Sequence, residues 1–109
     1  MESPQPDLAA ALDRLWTKFL PEIRERVSTI ELAVRSLSEG GLDTERQHAA
    51  GSAAHKLAGV LGTFHLERGT ELARELELIF LGAEAPCPDS APHLAAMVAD
   101  LRSVVNSRT

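Results

Sequence analysis

Apolar residues in this chain recur at steps of three and four, and no segment alternates in the two-residue step of a strand bounded by hairpin turns. That pattern confines the chain to an all-α fold. Leu8, Leu12, Leu15, Trp16 and Phe19 make a first apolar stripe, for which Asp7 is a candidate N-cap. Ile23, Val27, Ile30, Val34 and Leu37 make a second, which stops at Gly40-Gly41. Pro21 lies between the two. It lacks the N–H that a helix interior needs, so a break or kink is expected near Leu20. The next helix is expected over residues 44–63, capped by Asp43 or Thr44, and residues 64–69 read as a tight turn or frayed end. Leu72, Leu76, Ile79 and Phe80 mark another helix. Residues 82–92 hold three prolines and read as a loop. A last helix over about 92–106 carries Leu94, Met97, Val98, Leu101 and Val105 on one face, with Ser90 or Asp89 as its cap. The expectation is an antiparallel up-down-up-down four-helix bundle with an additional N-terminal helix.

The size fits one domain over 1–109, with 1–6 as a loose end. Hydrophobic residues at 44% and charged residues at 25% are globular values, which sets aside wholesale disorder. A net charge of −5 argues against nucleic acid and against an anionic membrane surface. No apolar run approaches the roughly 18 residues of a membrane span, and the first residues lack the basic and apolar regions of a secretory signal. The one cysteine, Cys87, cannot form an internal disulfide, so a reducing cytoplasm is expected; the helical pattern fits a monomer.

The segment Gly51-Ser52-Ala53-Ala54-His55-Lys56-Leu57-Ala58-Gly59-Val60-Leu61-Gly62 is unusual for a helix. At about 100° per residue, the side opposite His55 collects Ala50, Ala53, Ala54, Leu57, Val60, Leu61 and Phe64, which is a core stripe. The side of His55 collects His48, Gly51, Ser52, Ala58, Gly59 and Gly62, all very small except His48, while Lys56 projects roughly a quarter-turn away. A glycine inside a helix costs about 1 kcal/mol relative to alanine. None of the three glycines faces the inferred core. Either the helix is badly formed, or the strip is kept bare so that a bulky partner can close over the His55 ring.

Imidazole suits phosphoryl transfer, because it titrates near pH ~6.5 and offers a neutral nucleophilic nitrogen at neutral pH. The chain has no GxxxxGK[ST] loop and no carboxylate cluster for a metal. A partner would have to bring the metal and most of the catalytic apparatus, which points to a carrier with no ATP site or kinase activity of its own.

The run Ala54-His55-Lys56-Leu57-Ala58-Gly59, followed by Val60-Leu61-Gly62-Thr63-Phe64, resembles the signature of the histidine phosphotransfer (HPt) domains of multistep phosphorelays. Leu72-Ala73-Arg74-Glu75-Leu76-Glu77 is similar to the family's next helix. The resemblance implies that His55 is the phosphoacceptor, through Nε2, and that Gly59 leaves room for the phosphoryl group. It implies partners that are response-regulator receiver domains carrying phospho-aspartate and Mg²⁺, or a hybrid histidine kinase, with no cofactor on this chain. Two positions depart from the pattern. Ala58 stands where the family usually has lysine, and His65 where it often has glycine.

Other readings stay open. The missing lysine favours a docking bundle that binds a receiver or kinase without accepting phosphate. Four histidines suggest a metal- or cofactor-binding bundle, although none of His48, His55, His65 and His93 pair at three- or four-residue spacing. His65 and His93 read as structural or surface residues, and His48 as a surface residue. Leu57, Leu61, Phe64, Leu72 and Leu76 read as core, and Trp16 as the contact of the first helix with the bundle. Glu71, Glu75 and Glu77 read as a solvated face paired with Arg68 or Arg74.

Overall fold

The computed structural model describes residues 5–108, in which four α-helices and one 3-10 turn form and no strand occurs. They are α1 (Gln5–Ser38), α2 (Thr44–Thr63), α3 (Glu67–Leu81) and α4 (Ala91–Arg108), with the 3-10 turn at Pro88–Ser90. α1 packs against α2 and α4, and α3 packs against α2 and α4. The helices thus close a ring around one core, in a molecule measuring 60 × 22 × 21 Å. Ile23, Ile30, Leu57, Leu76, Phe80 and Leu101 are wholly buried at its centre.

The expected break at Pro21 does not occur, and there is no separate N-terminal helix: α1 runs unbroken through the proline. The Thr17 carbonyl loses its usual partner there, but Thr17 and Pro21 are both exposed, where water can serve. Trp16 and Ile23, on either side, are buried in the same core, so packing holds the helix together across a poor position. The expected loose end is also corrected in part. Residues 1–4 lie outside the described residues, but Gln5 and Pro6 already belong to α1. Asp7 therefore sits in the first turn, where its charge suits the helix dipole, rather than at the cap. α1 outreaches its neighbours, since Trp16 already meets Phe64 at the end of α2 and Asp13 pairs with Arg108 at the end of α4. Leu8, beyond these contacts, is exposed.

The helix ends follow local chemistry. At the end of α1, Gly40 takes φ 75° and donates to the Leu37 carbonyl, while Gly41 donates to that of Ser36 at 2.8 Å. This is a Schellman cap, which favours glycine because a Cβ is strained at positive φ. Asp43 caps α2 by accepting from the Arg46 N–H at 2.7 Å. α2 ends on the same motif as α1: His65 donates to Gly62 and Leu66 donates to Leu61 at 3.0 Å. Here the left-handed position, φ 59°, is held by a histidine. The turn expected over 64–69 is shorter, because α3 starts at Glu67. Likewise the loop expected over 82–92 ends early in the 3-10 turn, which runs straight into α4, so Asp89 and Ser90 lie in that turn. Across the bundle, Arg102 grips Glu31 with two hydrogen bonds, at 3.0 and 2.6 Å, tying α4 to α1. The Arg108 guanidinium lies over the rings of Trp16 and Phe64 at 5.4 and 5.8 Å.

Replacing His65 by glycine should raise the stability of the fold by about 1 kcal/mol, because a non-glycine residue in the left-handed region costs roughly that much. A higher urea midpoint with an unchanged slope is the expected denaturation result.

Candidate functional site

α2 owes its orientation to its small apolar side. Ala50, Ala54, Leu57 and Leu61 have no solvent exposure, and their burial turns His55 outward. The His55 side chain is 70% exposed, so the ring stands free of the core and is not walled in. Its Nδ1 lies 2.8 Å from Oε2 of Glu77 on α3. A carboxylate only accepts, so Nδ1 carries the proton in this pair. The second ring nitrogen, Nε2, makes no hydrogen bond to any described residue. In the neutral ring, Nε2 then holds the lone pair. Glu77 is itself anchored, with a side chain only 26% exposed.

The strip around His55 is bare, but less uniformly than expected. Gly59 fits the expectation, since a Cβ built on it would meet nothing within 4 Å. At Gly62 the added atom would touch only Thr70 Oγ1, at 3.8 Å. Ser52 is half-buried one turn before His55. Gly51 and Ala58 are corrections, because both are buried. A Cβ on Gly51 would fall on the Leu81 side chain of α3, so this glycine is explained by close helix packing after all. Ala58 projects about 60° from His55 on the α3 side, and that side is covered. His48 is exposed, but it lines a separate hollow with Thr44, Gln47 and the end of α3.

On the flank toward α1, an open depression is lined by Arg26, His55, Lys56, Gly59, Val60 and Thr63. A hollow of about 440 Å³ between α1 and α4, bordered by Glu31, Val34 and Arg35, lies away from His55 and holds no imidazole or thiol. Among the described residues, no group of three or more His, Cys, Asp or Glu side chains could hold a metal ion. His93 is exposed on α4, and Cys87 is exposed before the 3-10 turn.

Two residues of this site escaped the sequence reading. Glu77 was grouped with the solvated acids, yet it contacts His55, while Arg68 pairs with Asp100 of α4 instead of a neighbouring glutamate. Arg26 carried no signal at all. Both come from helices other than α2: the register between helices brings Glu77 to the ring and Arg26 into the depression that His55 lines.

Replacing Glu77 by alanine should remove the preference for the Nδ1–H tautomer while leaving helicity intact, because the partner of one ring nitrogen sets the tautomer. The ¹⁵N shifts of the His55 ring provide the check.

The Hpt domain family model matches residues 14–104. Protein RcaC of Microchaete diplosiphon is 32% identical over 105 residues, which cover 96% of this chain and 16% of that protein. The chain therefore spans about a sixth of the length of that relative. No solved structure matches it. No helix among the described residues is long and apolar enough to cross a membrane. With the family model spanning most of the chain and the histidine, the bare strip and the helical ring agreeing, this chain belongs to the Hpt domain family.

Proposed function

We propose that this chain is a phosphoryl carrier in a two-component phosphorelay, with His55 as the residue that is phosphorylated. The observation that carries the reading is the His55 ring, exposed on α2, held through Nδ1 by Glu77 and flanked by the open position at Gly59. The partner would be a receiver domain that supplies the phospho-aspartate and the Mg²⁺. In the transfer, the Nε2 lone pair forms a bond to phosphorus. The P–O bond to the receiver aspartate breaks, and its electron pair leaves with the carboxylate. The Nδ1 proton stays in place, and the Glu77 carboxylate balances the positive charge that develops on the ring. Passage to a second receiver reverses these steps.

Short connections between helices suit the antiparallel up-down-up-down order within a single domain, and the proposed carrier works as a monomer in the cytoplasm. Docking can draw on Leu78 and Leu81, which are exposed on α3, Leu81 being the residue that meets Gly51. An interface below or near ~1,200 Å² fits partners that must exchange. The second reading, a docking bundle that never takes the phosphoryl group, draws on Ala58, which offers no cation beside the ring.

Incubation with phosphorylated receivers, followed by mass spectrometry at neutral or alkaline pH, separates the two readings. Carriage predicts a labelled His55 and no label in His55→Gln. Binding to several receivers with His55 always unmodified would leave only the docking role. Gly59→Leu should slow transfer from a receiver by at least roughly tenfold, since the close approach of the two proteins sets the geometry of the reacting atoms. From the small donor phosphoramidate the same variant should lose less, because only the space beside the ring, and not the approach of a second protein, is then obstructed.

A further inference from the structure

A phosphoryl group on His55 brings two negative charges to the surface of a chain that already carries a net charge of −5. Its nearest acidic neighbour is Glu77, on the α3 flank of the ring. Position 58, one turn after His55, offers only a buried methyl group. Arg74 of α3 lines a separate hollow with Gly62 and Thr70, whereas the depression on the other flank includes His55 itself and contains two cations. Lys56 is exposed and, among the described residues, makes no hydrogen bond or ion pair. Arg26 comes from α1, and its side chain is 21% exposed, so packing limits its motion. One Nη2 contact goes to Glu22 Oε1 at 2.7 Å, and its other N–H groups make no hydrogen bond to described residues. A guanidinium carries five donors, so most of them are free for an anion. Gly59 lies between this flank and the ring, and it puts no side chain in the way.

We propose that Arg26 of α1, with Lys56 beside it, binds the phosphoryl oxygens at His55 and supplies the charge compensation that position 58 does not. This rests on His55 being the phosphoacceptor. It assigns α1 a direct part in the chemistry: the helix that builds the core also carries an anion-binding side chain into the α1–α2 groove. The planar fork of arginine suits two oxygens of one phosphoryl group, and Lys56 adds a point charge at the rim.

The test uses the full chain and phosphoramidate, which needs no receiver. Nε2 attacks phosphorus, the P–N bond breaks, and the nitrogen leaves as ammonia. The rate of His55 loading is read by mass spectrometry at low and high salt, and thermal melts are run in parallel. Arg26→Gln is expected to load roughly tenfold more slowly at low salt, with a weaker salt dependence. Arg26→Lys should recover much of the rate. Lys56→Gln, which removes a side chain without bonds, should show a smaller loss and keeps the test valid should Arg26→Gln melt early. Loading of Arg26→Gln and Lys56→Gln at the wild-type rate and salt dependence would overturn the proposal while leaving His55 as the acceptor. So would equal slowing in Arg26→Gln and Arg26→Lys with the wild-type salt dependence kept in both, which would mean that packing and not charge is at work. A wild-type chain that never loads on His55, from phosphoramidate or from any receiver, would overturn both this proposal and the carrier role.

Discussion

The close seam between α2 and α3 is the constraint on which the rest of the molecule depends. Gly51 lies against Leu81 at one end of it, and Gly69 sits close to Leu61 at the other, with less than 3 Å between Leu61 and the place a Cβ would take. Glycine at both points lets the two helices approach. That approach puts Glu77, a residue of α3, within 2.8 Å of a ring on α2. A larger side chain at Gly51 would push Leu81 outward and loosen the end of α3 that follows Glu77. The same glycine therefore belongs to packing and to the site at once, by setting the spacing across which one hydrogen bond must form.

The fold was readable because its signal is redundant. The stripes that point inward run through Leu12, Trp16, Phe19, Ile23, Val27, Ile30, Val34 and Leu37 in steps of three and four without losing phase at Pro21. A broken helix would have reset that phase. A proline inside a helix costs about 3 kcal/mol locally, but the buried residues on both sides of it act together and outweigh that cost. The start of α2 was readable because Asp43 offers a specific cap, whereas the apolar stripe continues to Phe64 and marks its end less sharply. The glycine that the family often has at position 65 is the one hint that His65 is left-handed, since a histidine by itself does not require that conformation. Only its hydrogen bonds with Gly62 and those of Leu66 with Leu61 reveal the motif.

The candidate site was half legible. His55, Gly59 and Gly62 lie on one helix, and a helical projection suffices to bring them together. The same projection misjudged Gly51 and Ala58, because a wheel has only two sides and a helix in a four-membered ring touches two neighbours. Gly51 and Ala58, about 40–60° from His55 on the α3 side, are covered, while Gly59, about 40° away on the α1 side, looks into an open groove. Nothing in a single helix tells these flanks apart. Glu77 reaches the ring by long-range register, at 22 residues' separation, and Arg26 enters the neighbouring depression in the same way.

The hydrogen bond from His55 to Glu77 has a consequence for energy storage. On a ring phosphorylated at Nε2, the departing tendency of the phosphoryl group rises with the positive charge left on the imidazole. A carboxylate that shares the Nδ1 proton draws part of that charge away. The stronger the sharing, the less readily the N–P bond parts. If His55 carries the phosphoryl group as proposed, the length of this one hydrogen bond sets how firmly the group is held.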